Sequence, residues 1–193
     1  MASDGRVRYA RGAERRSVLI EAAADVLLEH GLAALSHRAV AVRAGLPLAS
    51  TTYYFDSVDE LRDEALHSVA EMWLARARAA LDALPERLDR ASAAQAVVGI
   101  LGADASREQQ LLLYERYLEA GRHERLRPLV VSYNTRLGEL VREVLLRAAL
   151  PTGEGEVGLV FAVTDGAAVT ALAEGAPPAD AVRHALGRLL ELF

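Results

Sequence analysis

Cysteine is absent from the 193 residues of this chain, which excludes disulfide scaffolds, thiolate zinc sites and cysteine nucleophiles. Lysine is absent as well, so every one of the 22 basic groups is an arginine. Isoleucine occurs only at Ile20 and Ile100, and aromatic residues make up 5%, leaving few residues that favour strands. Long hydrophobic runs are missing too. The longest stretch without a charge, residues 91–103, has 13 residues, where a membrane span needs roughly 20. No apolar segment near the N-terminus reads as a secretory leader, so a reducing cytoplasm and no membrane partner are expected. Catalytic signatures are likewise lacking: there is no HExxH, GxSxG, P-loop or GxGxxG. Glu64…His67 is a single ExxH where a di-iron bundle needs two. Neither an enzyme nor a metal or cofactor site is expected.

What the chain has instead is alanine and leucine, 37 and 31 residues respectively. Strong helix formers at that density predict an all-α fold. Proline, glycine and capping residues divide it into nine helical segments. The first covers about 13–30 and stops at Gly31; two short ones cover 36–44 and 47–54. A long helix starts at Ser57, where Ser57-Val58-Asp59-Glu60 fits a capping box, and runs toward Pro85. Similar boxes at Ser92…Gln95 and Ser106…Gln109 open two more, the second ending at Gly121. The last three cover about 124–149, 155–173 and 178–193.

The formal charge of −5, taken as a mean, argues against nucleic acid. Its distribution argues otherwise. Residues 1–57 carry a net +1 and residues 58–193 a net −6, while residues 6–16 alone carry +4. The shift places a boundary at residue 57, between a three-helix unit (1–57) and a six-helix body (58–193). Three helices with tight turns are the layout of a helix-turn-helix. Gly45 supplies the backbone freedom that the turn before Pro47 needs. The segment Leu48-Ala49-Ser50-Thr51-Thr52-Tyr53-Tyr54 offers hydroxyls and no carboxylate, so it can approach base edges and phosphates without repulsion. Ahead of it, an arm holding Arg8 and Arg11 suits phosphates or a neighbouring minor groove. Deleting residues 1–12 is expected to weaken DNA binding and flatten its salt dependence. Titrations at several salt concentrations check this, and an unchanged slope would remove the arm from the interface.

The dense run Ile20-x-Ala22-Ala23, Leu28-Glu29-x-Gly31-Leu32, Leu35-Ser36-x-Arg38-x-Val40-Ala41-x-x-Ala44-Gly45-Leu46, Ser50, Tyr53-Tyr54-Phe55-x-Ser57 and Leu61 carries a resemblance. Residues 17–64 resemble the DNA-binding domain of the tetracycline-repressor (TetR) family of bacterial transcription regulators. The resemblance implies that the segment starting at Ser36 crosses the DNA backbone, braced by His37 and Arg38. It makes 47–54 the recognition helix, from Pro47 and Leu48 to Tyr54. Ala49, Ser50 and Thr51 would face the groove, with Tyr53 and Tyr54 on phosphates or bases and Phe55 packing inward. Three positions depart from the family pattern. Thr52 stands for a common tyrosine, Pro47 for a capping serine or threonine, and Val58 for a phosphate-binding lysine. Asp59, Glu60, Asp63 and Glu64 follow Val58, so the alternative function is a helical protein-interaction module with a degenerate DNA-binding unit.

In the body, segment 155–173 is apolar nearly all round, the mark of a helix buried on more than one side. Phe161, Ala162 and Val169 on it, with Val182, Ala185, Leu186 and Leu189 on the last segment, are the expected dimer surface. The family pairs two chains through these two helices. Asp165 is the only charge between Glu156 and Glu174, and a carboxylate in so apolar a helix needs a partner or a proton. Trp73, Tyr114, Tyr117, Tyr133 and Asn134 join it as candidate ligand residues, because an effector cavity mixes apolar walls with a few polar groups. The function that the resemblance implies is a homodimeric, ligand-responsive regulator, expected to repress, which a small-molecule effector releases from palindromic operator DNA; it would be cytoplasmic, and nucleoid-associated when bound to DNA.

Overall fold

The computed structural model describes residues 2–193, with side chains from residue 12 onward, so the side chains of Arg8 and Arg11 lie outside the described residues. Among the described residues the chain is all-α, with no strand. The helices are α1 (Ala2–His30), α2 (His37–Ala44), α3 (Leu48–Tyr54), α4 (Val58–Asp82), α5 (Arg90–Ile100), α6 (Arg107–Arg122), α7 (Arg127–Arg147), α8 (Glu154–Glu174) and α9 (Pro178–Glu191). Single 3-10 turns at Leu32–Ala34 and Glu124–Leu126 lead into α2 and α7. The chain forms two compact units, Met1–Ala70 and Glu71–Phe193. The division falls inside α4, so its first turns belong to the first unit.

In the first unit, α2 and α3 have eight and seven residues, well below the length at which an isolated helix holds in water. Packing supplies what length does not. Leu19, Ala23 and Leu27 of α1, Val40 of α2, Phe55, and Leu61, Ala65 and Leu66 of α4 are almost wholly buried. Each large apolar side chain so buried is worth roughly 1.5–3 kcal/mol. Ser36 caps α2, its hydroxyl accepting from Ala39 N–H at 3.1 Å. Gly45 ends α2 in the left-handed region at φ 64°, and Leu46 N–H returns to the Ala41 carbonyl. Helix α3 starts at Pro47, with no side-chain cap. At the head of α4, Glu60 N–H donates to Ser57 Oγ at 3.1 Å as the capping box requires. The glutamate reciprocates one residue early, accepting from Asp56 N–H at 2.8 Å.

In the second unit, α5 packs against α7 and α9, and α9 lies along α8. Val97, Val98, Val141, Val144, Leu145, Val160, Leu186 and Leu190 form the centre of its core. One expected cap is displaced. Asp89, not Ser92, opens α5, and its carboxylate accepts from Ser92 N–H at 2.7 Å. A charged acceptor at a helix N-terminus outcompetes a hydroxyl one turn later, and these bonds hold the Asp89 carboxyl below its usual range. Ser106 caps α6 as expected, whereas Gly121 lies inside that helix, which runs on to Arg122.

Arginine closes helix ends throughout this unit. The last carbonyls of a helix lack partners within it. Arg147 donates to Leu81 O and Leu84 O at the end of α4, Arg90 to Leu190 O near the end of α9, and Arg107 to Leu172 O near the end of α8. A planar fork suits carbonyl pairs better than an ammonium does. Replacing Arg147 by alanine is expected to cost about 2 kcal/mol of stability, read from urea unfolding. No loss would mean that water serves these carbonyls equally well. Just beyond it, Ala149 holds φ 53°, with Leu150 N–H bonded back to Leu145 O. A Cβ is strained in that region, so Ala149→Gly should gain about 0.5–1 kcal/mol in the same measurement.

Candidate functional site

The outer face of α3 is built from what its packing leaves over. Tyr53 is 80% exposed and Leu48 51%, and Pro47, Ala49 and Thr52 are exposed beside them. Ser50 and Tyr54 are half-buried, and the Tyr54 ring meets the Tyr53 ring edge-on at 4.9 Å. No carboxylate lies on α3. Thr51 corrects the sequence expectation. It is fully buried and its hydroxyl donates to Leu48 O at 2.8 Å, so the side chain faces the core and not a groove. On α2, Arg38 and Val42 are exposed, while the Ser36 oxygen serves as the helix cap. His37 is half-buried, with Nδ1 lacking a hydrogen-bond partner among the described residues.

Two arginines of this unit are occupied within it. Arg16 donates to Glu64 at 2.7 Å and lies 5.0 Å from the Phe55 ring centre, joining α1 to α4. Arg43 donates to both Asp25 and Glu29, tying α2 to α1. Those bonds lower the Glu29 carboxyl and raise the Arg43 guanidinium from their ordinary pKa ranges. The positive charge of the N-terminal third is therefore partly spent on holding the three helices together.

In the second unit five of the six candidate ligand residues line one of two cavities, and the sixth, Tyr114, lines neither. Tyr117, Asn134 and Asp165 line a cavity of about 530 Å³, together with Gly138, Val157 and Phe161. Trp73 and Tyr133 line a smaller one of about 30 Å³. Tyr117 donates to Asn134 Oδ1 at 2.8 Å and Tyr114 to Asp165 Oδ1 at 3.3 Å. Burial raises the Asp165 carboxyl above its usual range and likewise raises Tyr114 and Tyr117. Tyr133 is pushed up to about 12, again by burial.

Arg116 stands at the centre of this cluster. It is 1% exposed, and its guanidinium lies 4.0, 5.4 and 5.7 Å from the ring centres of Tyr133, Tyr117 and Trp73. None of its three nitrogens has a hydrogen-bond partner among the described residues. Burial pulls its pKa down, while the Tyr133 and Tyr117 oxygens favour its charge. Desolvating an ion costs several kcal/mol, and a desolvated cation–π contact returns about 2 kcal/mol. Three rings thus offset the burial without satisfying the N–H groups. Gln110 is buried nearby in sequence and lines the smaller cavity. Its Nε2 donates to Ala103 O and Ala105 O at 2.9 Å each, which leaves Oε1 unpartnered. Neither residue stands out from composition. The available signal is that Leu112, Arg116 and Ala120 recur every fourth residue, on the buried face of α6.

The expected dimer surface divides in two. Ala162 and Val169 are exposed on α8 within a stripe of Gly155, Leu159, Gly166, Thr170 and Ala173. Val182 and Leu186 are fully buried in the chain's own core and present nothing to a second copy. Ala185 and Leu189 are half-buried, and Phe161 is turned to the larger cavity. By length and composition α8 would also pass for a membrane span. Its core contacts on one face and the stripe on another account for that apolarity.

Two family models match the chain. "Bacterial regulatory proteins, tetR family" matches residues 19–65, and "Tetracyclin repressor-like, C-terminal domain" matches residues 88–192. A solved member of the TetR family from Streptomyces coelicolor A3 is 36% identical, with a TM-score of 0.64, over 92% of this chain and 98% of the other. The multidrug binding protein EbrR, solved with imidazole, is 35% identical, with a TM-score of 0.68, over 91% and 94%. The same protein solved with proflavin is 32% identical, with a TM-score of 0.68, over 91% and 99%. No curated protein matches the chain.

Proposed function

The chain belongs to the tetR family of bacterial transcription regulators, DNA-binding proteins and not enzymes, and from that premise we propose a cytoplasmic homodimeric repressor that an aromatic small molecule releases from a palindromic operator. The observation that carries the reading is the outer face of α3: exposed, rich in hydroxyls, free of carboxylate, and inside the DNA-binding match. The α8 stripe of small and apolar residues supports pairing of two copies, since a two-fold contact presents the same patch twice. Two protomers then offer two recognition helices to half-sites roughly 34–36 Å apart. Ala185 and Leu189 extend the pairing surface, while Val182 and Leu186 support it from the core. The larger cavity receives the effector, a reading supported by the relative that binds proflavin. Helix α4 runs unbroken from one unit into the other, so a ligand that favours one of its orientations shifts the DNA-binding population.

Footprinting on genomic fragments tests this directly. A palindromic protected site, lost on adding an aromatic ligand, is the expected result. Absent or salt-insensitive binding would instead favour a protein-interaction module.

A further inference from the structure

We infer that Arg116 receives the carboxylate of an aromatic acid, which makes an aryl carboxylate the effector class; the inference rests on the ligand-sensing reading above. Among the described residues Arg116 is the only charged side chain buried outright. The rings of Tyr133, Tyr117 and Trp73 satisfy its charge, but a ring face accepts none of the in-plane N–H groups. A planar fork of five donors is matched by the two oxygens of a carboxylate. The described residues supply none: Asp165 Oδ1 accepts from Tyr114, and no acidic group among them bridges to the guanidinium.

Tyr117 belongs to both places. Its ring faces Arg116 and it lines the larger cavity, with its hydroxyl held by Asn134. Arg116 itself lines neither cavity, so the route from the space of about 530 Å³ to the guanidinium would run through Tyr117, whose displacement costs its one hydrogen bond to Asn134. That space suits a one- or two-ring acid whose apolar body lies against Val157 and Phe161. Asp165 lines the same cavity, with its Oδ1 accepting from Tyr114. Glu139 and Glu154, also on this cavity, are solvent-exposed and screened by salt.

Calorimetry on the full-length protein with 1-naphthoate, the neutral isostere 1-naphthamide and the cation proflavin tests the assignment. Naphthoate should bind about 100-fold tighter than naphthamide and release operator DNA. Arg116→Met should erase that preference, and Arg116→Lys should keep part of it and serves if the methionine variant does not fold. Ligand-free operator binding is the folding control. Tyr117→Phe, which frees the ring from Asn134, should tighten naphthoate binding, a change that a purely structural Arg116 does not produce. Naphthoate binding no tighter than naphthamide, or a preference that survives in Arg116→Met, overturns the inference. Release by proflavin or naphthamide but not naphthoate overturns it while leaving ligand sensing intact; release by none of the three removes both.

Discussion

Tyr53→Ala is expected to lower operator affinity about 100-fold and to leave the melting temperature unchanged. The magnitude follows from one lost contact of about 1.4 kcal/mol in each of two half-sites. The unchanged stability follows from exposure, since Tyr53 is 80% exposed and touches chiefly Tyr54. Thr51 provides the opposite case one turn face away. It is wholly buried, so Thr51→Leu overpacks the unit and lowers stability, with affinity falling only as folded protein is lost. Gel-shift titration and thermal melts on the two variants separate reading from packing. If both variants behave alike, α3 is not the reading helix.

On the proposed pairing, Val169→Glu is expected to make the protein monomeric and to weaken operator binding about 1000-fold, because the second half-site would lose its tethered partner. Val169 is 47% exposed in the single chain, and a surface change of this kind moves stability by about 0.5 kcal/mol or less. In a paired α8 stripe the same carboxylate is desolvated in both copies, which a dimer tolerates poorly. Sedimentation at micromolar concentration reads the outcome. A dimer that persists in Val169→Glu places the pairing surface elsewhere.

The helix-turn-helix was legible because much of its chemistry is local: Ser36 caps and Gly45 turns left-handed, each within a few residues of its partner. Thr51 was not. A seven-residue helix fixes its inward face only by what it packs on, and a threonine hydroxyl is as well served by its own preceding turn as by DNA. Val182 and Leu186 show a similar limit. Apolar periodicity says that a face is covered but not by which chain, and here α9 packs on α8 and α5 of the same chain. Arg116 went unseen for another reason. Its position every fourth residue from Leu112 and Ala120 marks a buried face, but its charge argues against burial until the ring of its neighbour Tyr117 is joined by those of Tyr133 and Trp73, 17 and 43 residues away in sequence. Asp89 displaced Ser92 as a cap because two plausible acceptors lay one turn apart and the charged one is stronger.

The most direct test of a paired, sequence-reading regulator is the mass of its complex on DNA selected from a random library. Two chains on one enriched palindrome, with half-sites roughly one helical turn apart, is the expected result. One chain per site, or no enriched sequence, would contradict it.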